Sequence, residues 1–391
     1  MSQQDDVRAS YLVFPGWTQH FWTWLTGKAL PGQSPLFRHT WYSYLGVTLA
    51  VFFGGLTLSS LAVVYKPHGW WWAMLGAGWV LSLCGARHMI LVIAHQSIHR
   101  QFSGSEAGDR FWGELVTLLN SYQDAHAFKV EHFDAHHREH VFATLQDPPV
   151  QVILGLGFRP GMSRHRLWLR AFVVVLSPAF YLKGIADRLR CNVTSGTWRR
   201  AGFLLWAAWW LSLPFWLRNG AEVLLLAYVV PIVLLNQLSA LLDKLGEHAW
   251  LTPPDPAHGR RYHHVAASWA RFCGYAVPSR SLPFGRRLAA WVRWTAAMLL
   301  YHLPVRLMVV VGDLPNHDFH HRQPRTPDWM IAAYARQRDI DHGLPGAPGY
   351  VEVWGLAEAI DRMFRALSVT RADAVPKGID SRTRFGTAGE S

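Results

Sequence analysis

The feature that most constrains this chain is a set of long runs of residues without charge. Residues 43–65 contain no acidic or basic side chain, and a helix of that length crosses the roughly 30 Å hydrocarbon core of a bilayer. Residues 69–94 are similarly apolar apart from Arg87 and His88. Because the turn Lys66-Pro67-His68 between the two runs is so short, we expect them to form a helical hairpin.

A second hairpin is predicted further along the chain. Residues 201–217 and 223–242 are apolar, and the connector from Arg218 to Glu222 is again short. Pro231 should kink the fourth run, which a helix buried in a bundle can tolerate. The sequence therefore predicts an all-α integral membrane protein with two transmembrane helical hairpins, or four spans.

The composition supports this class. Half of the 391 residues are hydrophobic and only 16% are Asp, Glu, Lys or Arg, whereas soluble globular domains carry about a quarter. These values exclude disordered, collagen-like and disulfide-scaffold chains. The three cysteines are far apart and give no sign of an oxidising compartment, and the first residues do not resemble a secretory signal peptide.

The positions of the basic residues predict an orientation. The formal net charge is +12, but each short turn holds one basic residue, whereas residues 95–200 hold 13 Lys and Arg. Basic segments remain in the cytoplasm, so we expect both termini and the central segment to be cytoplasmic, at a bacterial inner membrane or an endoplasmic reticulum membrane. Uncharged spans between the basic blocks favour a membrane over nucleic acid as the partner.

The expected domain organisation follows from these runs. Two further apolar stretches, 168–186 and 287–311, are predicted to be interfacial or re-entrant helices, since Arg293 and Arg306 interrupt the second. The predicted segments are a cytoplasmic N-terminal segment at 1–42, a membrane domain at 43–325, and a cytoplasmic C-terminal segment at 326–391 that ends in a mobile tail.

Histidines gather in three clusters on the predicted cytoplasmic side. Spacings of three and four residues place side chains on one face of a helix, so each cluster offers several imidazoles to a common point. Single histidines often serve only as interfacial polar residues, but eight in three paired patterns favour metal binding. The eight are His95, His99, His132, His136, His137, His317, His320 and His321.

The ligand type limits the choice of metal. Imidazoles suit iron, zinc, copper or nickel and argue against magnesium or calcium. Gln96 stands where a zinc protease of the HExxH type has its catalytic Glu, and eight histidines are too many for one tetrahedral zinc. Two metal ions are therefore expected. Four neighbouring acids are either outer partners that accept ring N–H bonds or ordinary surface acids: Glu131, Asp134, Glu247 and Asp318.

The three boxes and their flanking residues resemble the membrane fatty acid desaturase/hydroxylase superfamily. The flanks that carry the resemblance are His99-Arg100-Gln101-Phe102-Ser103, Arg138 to Thr144, and Asp147-Pro148, and the resemblance covers residues 40–325. It implies a non-haem di-iron centre that activates O2 and removes hydrogen from an unactivated C–H bond. It places the eight box histidines in the iron shell and suggests His248, just after the fourth span, as a ninth ligand.

Some details depart from the desaturase pattern. The second box, from Glu131 to His137, resembles that of membrane alkane hydroxylases, with Ala135 in place of Gly, yet such enzymes usually have six spans. His140 is an alternative to one member of this box. His88 is interpreted as a buried polar residue near the site, and His263-His264 as loop surface.

These observations give a functional expectation with open alternatives. The resemblance predicts an O2-dependent desaturase acting on an acyl-chain lipid or thioester, and a hydroxylase of the same architecture is the main alternative. The sequence holds no haem-binding, flavin or iron–sulfur pattern, so an external ferredoxin or cytochrome b5-type electron donor is implied. A metal transporter is a third hypothesis, disfavoured because the clusters lie outside the membrane midplane.

Overall fold

The computed structural model describes residues 6–253, 257–343 and 347–372, and most of the predicted C-terminal tail lies outside them. The chain is mostly helical. Three helices are long and apolar enough to cross a membrane: Trp41–Tyr65, Trp71–Ile98 and Gly220–Gly246. The structure therefore supports the membrane-protein class that the uncharged runs predicted.

The α-helices are, in chain order, α1 Val7–Ser10, α2 Gln19–Thr26, α3 Trp41–Tyr65, α4 Trp71–His88, α5 His95–Ile98, α6 Glu106–Leu119, α7 Ala125–Glu131, α8 Pro148–Gly155, α9 Arg164–Leu176, α10 Pro178–Val193, α11 Thr197–Trp216, α12 Gly220–Val223, α13 Asn236–Gly246, α14 Gly259–Ala266, α15 Phe284–Ala297, α16 Leu303–Met308, α17 His317–Arg322, α18 Ala332–His342 and α19 Leu356–Val369. The π-helical segments are Met89–Ala94, His132–His136, Leu224–Leu235 and Met298–His302. Short 3-10 helices are Tyr11–Val13, Gly16–Thr18, Leu314–Asn316 and Pro327–Ile331. Two strands, β1 Ala270–Phe272 and β2 Glu352–Trp354, pair in parallel.

The predicted third span is not among the three candidates. Residues 201–217 lie largely in α11, where tryptophans and the arginines at 199 and 200 lower the mean hydropathy. Helices α9 and α10 are bent by 63° at their junction and pass as one broken span or a re-entrant loop, which would bring the number of spans to four. The interfacial or re-entrant stretch predicted at 168–186 falls on this pair. Helices α15 and α16, which cover most of 287–311, are not candidate spans.

The described chain divides into two compact units. The span unit comprises Thr40–Lys244, Trp250–Thr252 and the described residues from Phe364 onward. It contains the first two candidate spans and all but the last two residues of the third. The strand unit comprises the described residues up to His39, Leu245–Ala249, and the described part of Pro253–Met363.

In the span unit, α3 and α4 pack through small residues. A Cβ atom on Gly55 would come 2.2 Å from the backbone nitrogen of Ser82, and one on Gly78 would come 2.2 Å from the hydroxyl of Ser59. Only glycine allows the two backbones to approach this closely, as is common between helices in membranes. The hairpin predicted from the short turn is thus a tightly packed helix pair.

In the strand unit, the strands pair Ala270 with Glu352 and Phe272 with Trp354. An aromatic core joins the N-terminal segment to α15, and its buried members are Tyr11, Leu25, Trp294 and Met298. The unit thus draws its core from both ends of the chain.

Candidate metal centres

The span unit brings four histidines of the first two boxes together, which we call the span cluster: His95, His99, His132 and His137. One ring nitrogen from each lies within 4.8 Å of the others. His95 and His99 lie at the end of the second candidate span, directly after the π-helical segment Met89–Ala94. The other two flank the π-helical turn that follows α7.

The π-helical turn decides which histidines of the second box meet. The backbone N–H of His137 donates to the carbonyl oxygen of His132 at 3.1 Å, a five-residue step that puts these two side chains on one face. Their Nε2 atoms lie 3.0 Å apart, and the Nε2 of His132 lies 2.9 Å from that of His95. In a regular α-helix, His132 would instead share a face with His136.

These distances fit a metal ion. One Nε2–H can donate a single hydrogen bond, yet the Nε2 of His132 has two other Nε2 atoms close by. Ligand nitrogens at 2.0–2.1 Å from one tetrahedral ion lie about 3.3 Å apart, close to these separations. Burial, followed by the nearby imidazoles His95 and His137, lowers the pKa of His132 well below its usual value. The imidazole is therefore neutral at pH 7, the form that binds a metal.

His136 is buried and has a carboxylate partner. Its Nδ1 lies 3.1 Å from both oxygens of Asp147, which also accepts the backbone N–H of Ala143 at 2.7 Å. With Nδ1 donating, the ring presents its Nε2 lone pair to a metal, as is common around metal-binding histidines. His136 is among the possible ligands. Asp147 was not among the predicted outer acids, although Asp147-Pro148 is one of the flanks that carry the resemblance.

The strand unit holds a second group, which we call the strand cluster: His248, His317 and His321. One ring nitrogen from each lies within 4.8 Å of the others, and all three are buried. The Nε2 of His317 is 3.1 Å from that of His321 and 3.2 Å from that of His248. His317 and His321 are four residues apart on α17, as the box spacing predicts.

His248 is positioned by a neighbouring segment. It forms an isolated antiparallel bridge with Ser268, and the Ser268 hydroxyl lies 3.1 Å from its Nδ1. The structure thus places this histidine, suggested as a ninth ligand, beside two histidines of the third box.

His264 is a residue that sequence reasoning placed wrongly. It was expected on loop surface, but it lies buried in α14, with its Nε2 2.7 Å from the Nδ1 of His321. It is also a possible metal ligand. Because the contact joins residues 57 positions apart, spacing within the sequence could not find it.

The predicted outer acids bind other groups. Glu131 accepts from Gln123 at 2.7 Å, and Asp134 forms an ion pair with Lys129 at 2.8 Å. Asp318 accepts from the guanidinium of Arg336 and from the backbone N–H of Phe319. Within the described residues these three carboxylates have no hydrogen bond to a histidine ring, and their role as outer partners stays a prediction. Glu247 is buried next to His248.

Three other histidines, His88, His140 and His320, differ in burial and in their contacts. The Nδ1 of His88 lies 2.6 Å from the Tyr44 hydroxyl, and the His88 side chain is half-buried rather than buried. His140 is exposed and lies outside the ligand groups of the described residues. His320 is buried, its ring stacks on His317 at 5.8 Å, and it too is a possible ligand.

Comparison of the sequence with models of known protein families gives no match, and comparison with curated proteins gives none either. The function of this chain is therefore inferred from the histidine clusters and the candidate spans.

Proposed function

We propose that this protein is an O2-dependent acyl-chain desaturase of the membrane fatty acid desaturase/hydroxylase type, with one iron ion in each histidine cluster. The observation that carries the proposal is that a chain with three candidate spans holds two groups of imidazole nitrogens spaced for metal binding. The box sequences, which resemble that superfamily, support it.

The donor set suits iron, zinc, copper or nickel, and the resemblance of the boxes to the superfamily favours iron among them. His95, His99, His132 and His137 would hold one ion, and His248, His317 and His321 the other, with His136, His264 and His320 completing the shells. When bound, iron supplies the oxidising power that O2-dependent cleavage of an aliphatic C–H bond requires.

The contribution of the protein is to position and protect the ligands. Asp147 fixes the tautomer of His136, and Ser268 contacts the ring of His248. Burial keeps His132 neutral and limits access of water to the strand cluster. An acyl chain would reach the clusters from the bilayer, and electrons would come from an external ferredoxin or cytochrome b5-type protein. In this proposal both termini and the clusters face the cytoplasm.

A hydroxylase is the second candidate. The sequence from Glu131 to His137 favours it, because this box resembles that of membrane alkane hydroxylases. Both reactions begin with removal of a hydrogen from an apolar chain, so the same residues would serve either one. A transporter is less well supported, since transporters place ligands at the membrane midplane.

Mass spectrometry of lipid and small-molecule extracts tests the proposal. Cells making the wild-type chain are compared with cells making His132→Ala with His317→Ala, and with a matched control, His140→Ala with His342→Ala, that removes two exposed histidines. A product lighter by two hydrogens in wild type and control alone supports a desaturase, and one heavier by one oxygen supports a hydroxylase. Purified wild-type protein without iron would contradict both.

A further inference from the structure

The N-terminal segment of the strand unit exposes an aromatic face. Trp17 is 84% exposed, and Phe21 and Trp24 on α2 are almost half exposed. Their spacing of four and three residues puts them on one side of the helical turn. Leu12 and Val13, just before it, are exposed as well. Residues 1–42 were expected to be a plain cytoplasmic segment, and such a segment has no reason to present tryptophans to water.

Helix α15 and the π-helical segment after it expose a second apolar face. Phe284, Leu288 and Val292 recur every fourth residue and are more than half exposed, and Leu299 and Leu300 continue the row. The opposite side of the helix is buried at Trp294 and Met298. A helix that is apolar on both sides needs an apolar environment outside the protein as well as inside.

The two faces belong to one packed body. The Tyr11 ring lies 5.8 Å from that of Trp294, the Trp22 ring lies 6.0 Å from the same indole, and the Phe14 ring lies 6.1 Å from that of Trp291. The inner sides of both elements therefore form a shared aromatic core, while their outer sides remain exposed. An exposed apolar surface built from two elements exceeds the scattered apolar residues normal for a soluble surface.

The charges beside this surface match a lipid headgroup layer. Arg280 and Arg286 are exposed on either side of Phe284, and Arg293 is exposed on α15 next to Val292. Within the described part of the chain, none of the three forms an ion pair through its side chain. Tryptophan and arginine together are typical of segments that lie at the boundary between headgroups and acyl chains.

We propose that this surface, Leu12 to Trp24 with Phe284 to Leu300, is embedded in one leaflet of a bilayer that contains anionic lipid. The N-terminal segment is then a membrane anchor in addition to the spans. Its apolar side chains bury in the acyl region, and the arginines contact phosphate groups. The proposal stands on exposure and packing alone and does not depend on the metal clusters.

Nitroxide accessibility in lipid nanodiscs tests this proposal. Single cysteines at Trp17→Cys, Phe21→Cys and Leu288→Cys are labelled in the full chain, with the three native cysteines replaced by alanine. His342→Cys, at an exposed site of the same unit, is the control. We expect the first three labels to collide with O2 more often than with a water-soluble nickel chelate, and the control label to show the reverse.

Each outcome of this experiment supports or overturns the proposal. Nickel-accessible labels at 17 and 21 would overturn the proposal by showing a water-exposed segment. Low collision rates with both reagents would overturn it as well, because they would indicate protein cover by a second copy. Arg280→Gln with Arg286→Gln should abolish the increase in label depth that phosphatidylglycerol causes in the parent protein. A parent protein insensitive to phosphatidylglycerol would overturn the anionic part.

Discussion

The two histidine clusters are built in different ways. The span cluster takes all four histidines from residues 95–137, on the end of a long helix and one π-helical turn. The strand cluster draws on His248, His317 and His321, which short elements bring together across more than seventy positions. Each cluster contains a pair set by local helical geometry. The long-range contact of the span cluster joins residues 37 positions apart, His95 and His132, whereas that of the strand cluster joins residues 69 positions apart, His248 and His317. A histidine cluster can therefore be easy or difficult to predict from a sequence.

The surroundings of the clusters differ as well. In the span unit, His136 has a carboxylate partner in Asp147, whereas in the strand unit His248 has a hydroxyl partner in Ser268. His132 and His137 are half-buried, whereas all three members of the strand cluster are buried. We infer that the span cluster is the more accessible one, that charge positions His136, and that packing positions the strand cluster.

The largest effect is expected from removing a ligand. His132→Ala should lose the ion of the span cluster, and His321→Ala that of the strand cluster, because each removes a nitrogen central to its group. Each should halve the iron content and lower product formation by more than about 100-fold, since even outer partners change activity by 10–100-fold. Iron analysis and product quantification check this, with His140→Ala as control. Loss of both ions from either variant would show that the clusters are not independent.

Each unit also has a buried ion pair that should dominate its stability. Arg87 pairs with Asp243 at 2.9 Å in the span unit, and Arg336 pairs with Asp318 at 2.9 Å in the strand unit, all four side chains being nearly inaccessible. Asp243→Asn and Asp318→Asn should each cost about 3–5 kcal/mol, because each removes a buried counter-charge from a guanidinium. Arg336 retains a second, longer ion pair with Glu352 at 3.4 Å.

Thermal unfolding of the detergent-solubilised protein measures both losses. The matched control is Glu222→Gln, which breaks the exposed pair with Lys66 and should cost less than about 1 kcal/mol. A larger loss is expected for Asp318→Asn than for Asp243→Asn, because Asp318 holds two nitrogens of Arg336 and the backbone N–H of Phe319. The opposite order would show that the additional hydrogen bonds of Asp318 contribute little to the stability of the strand unit.

Features that depend on the average hydropathy of a long run of residues, such as membrane spans, were predictable from the sequence. A span depends on about twenty residues together, so runs such as 43–65 predict a membrane helix whatever the packing. Residues 201–217 show the limit of predicting spans from apolar runs, because tryptophan has a large apolar side chain but a low hydropathy value. The positions of the histidine boxes were predictable too, since they are local patterns.

The details of the site were less predictable. The π-helical turn at His132–His136 changes which imidazoles meet, and no spacing rule signals it. His264 and Asp147 owe their roles to contacts with His321 and His136, which depend on the tertiary fold. Asp318 looked like an outer partner because of its place in a box, yet its carboxylate binds Arg336 on a helix that the motif does not include.

The partners of His136 and His248 give a smaller and more specific prediction. Asp147→Asn should weaken metal binding by His136 by about 10–100-fold, because the neutral amide lowers the basicity of the His136 ring. Ser268→Ala should weaken the strand cluster by less than about tenfold, since a neutral hydrogen bond contributes about 1 kcal/mol. Competition with a chelator of known affinity measures both, and equal losses would remove the distinction between positioning by charge and by packing.

The last contrast concerns two histidines outside the clusters. In the span unit, His88 is hydrogen-bonded to Tyr44. In the strand unit, His302 is fully buried between the rings of Tyr275 and Tyr301, and neither of its nitrogens has a hydrogen-bond partner within the described residues. Burial lowers the pKa of His302 to about 4, so the ring is neutral in the folded protein at pH 7.

His302 should therefore make the strand unit sensitive to acid. The His302 ring binds a proton near pH 6.5 in the unfolded chain but not in the folded chain. The contribution of His302 to the free energy of unfolding is therefore complete above pH 6.5 and falls as the pH drops toward 4. The expected slope is about 1 kcal/mol per pH unit. His302→Phe, which keeps a ring between the two tyrosines, should remove that part of the acid sensitivity. Thermal unfolding of both proteins from pH 7.5 to 4.5 measures the difference, and parallel curves would show that His302 is protonated or solvated in the folded state.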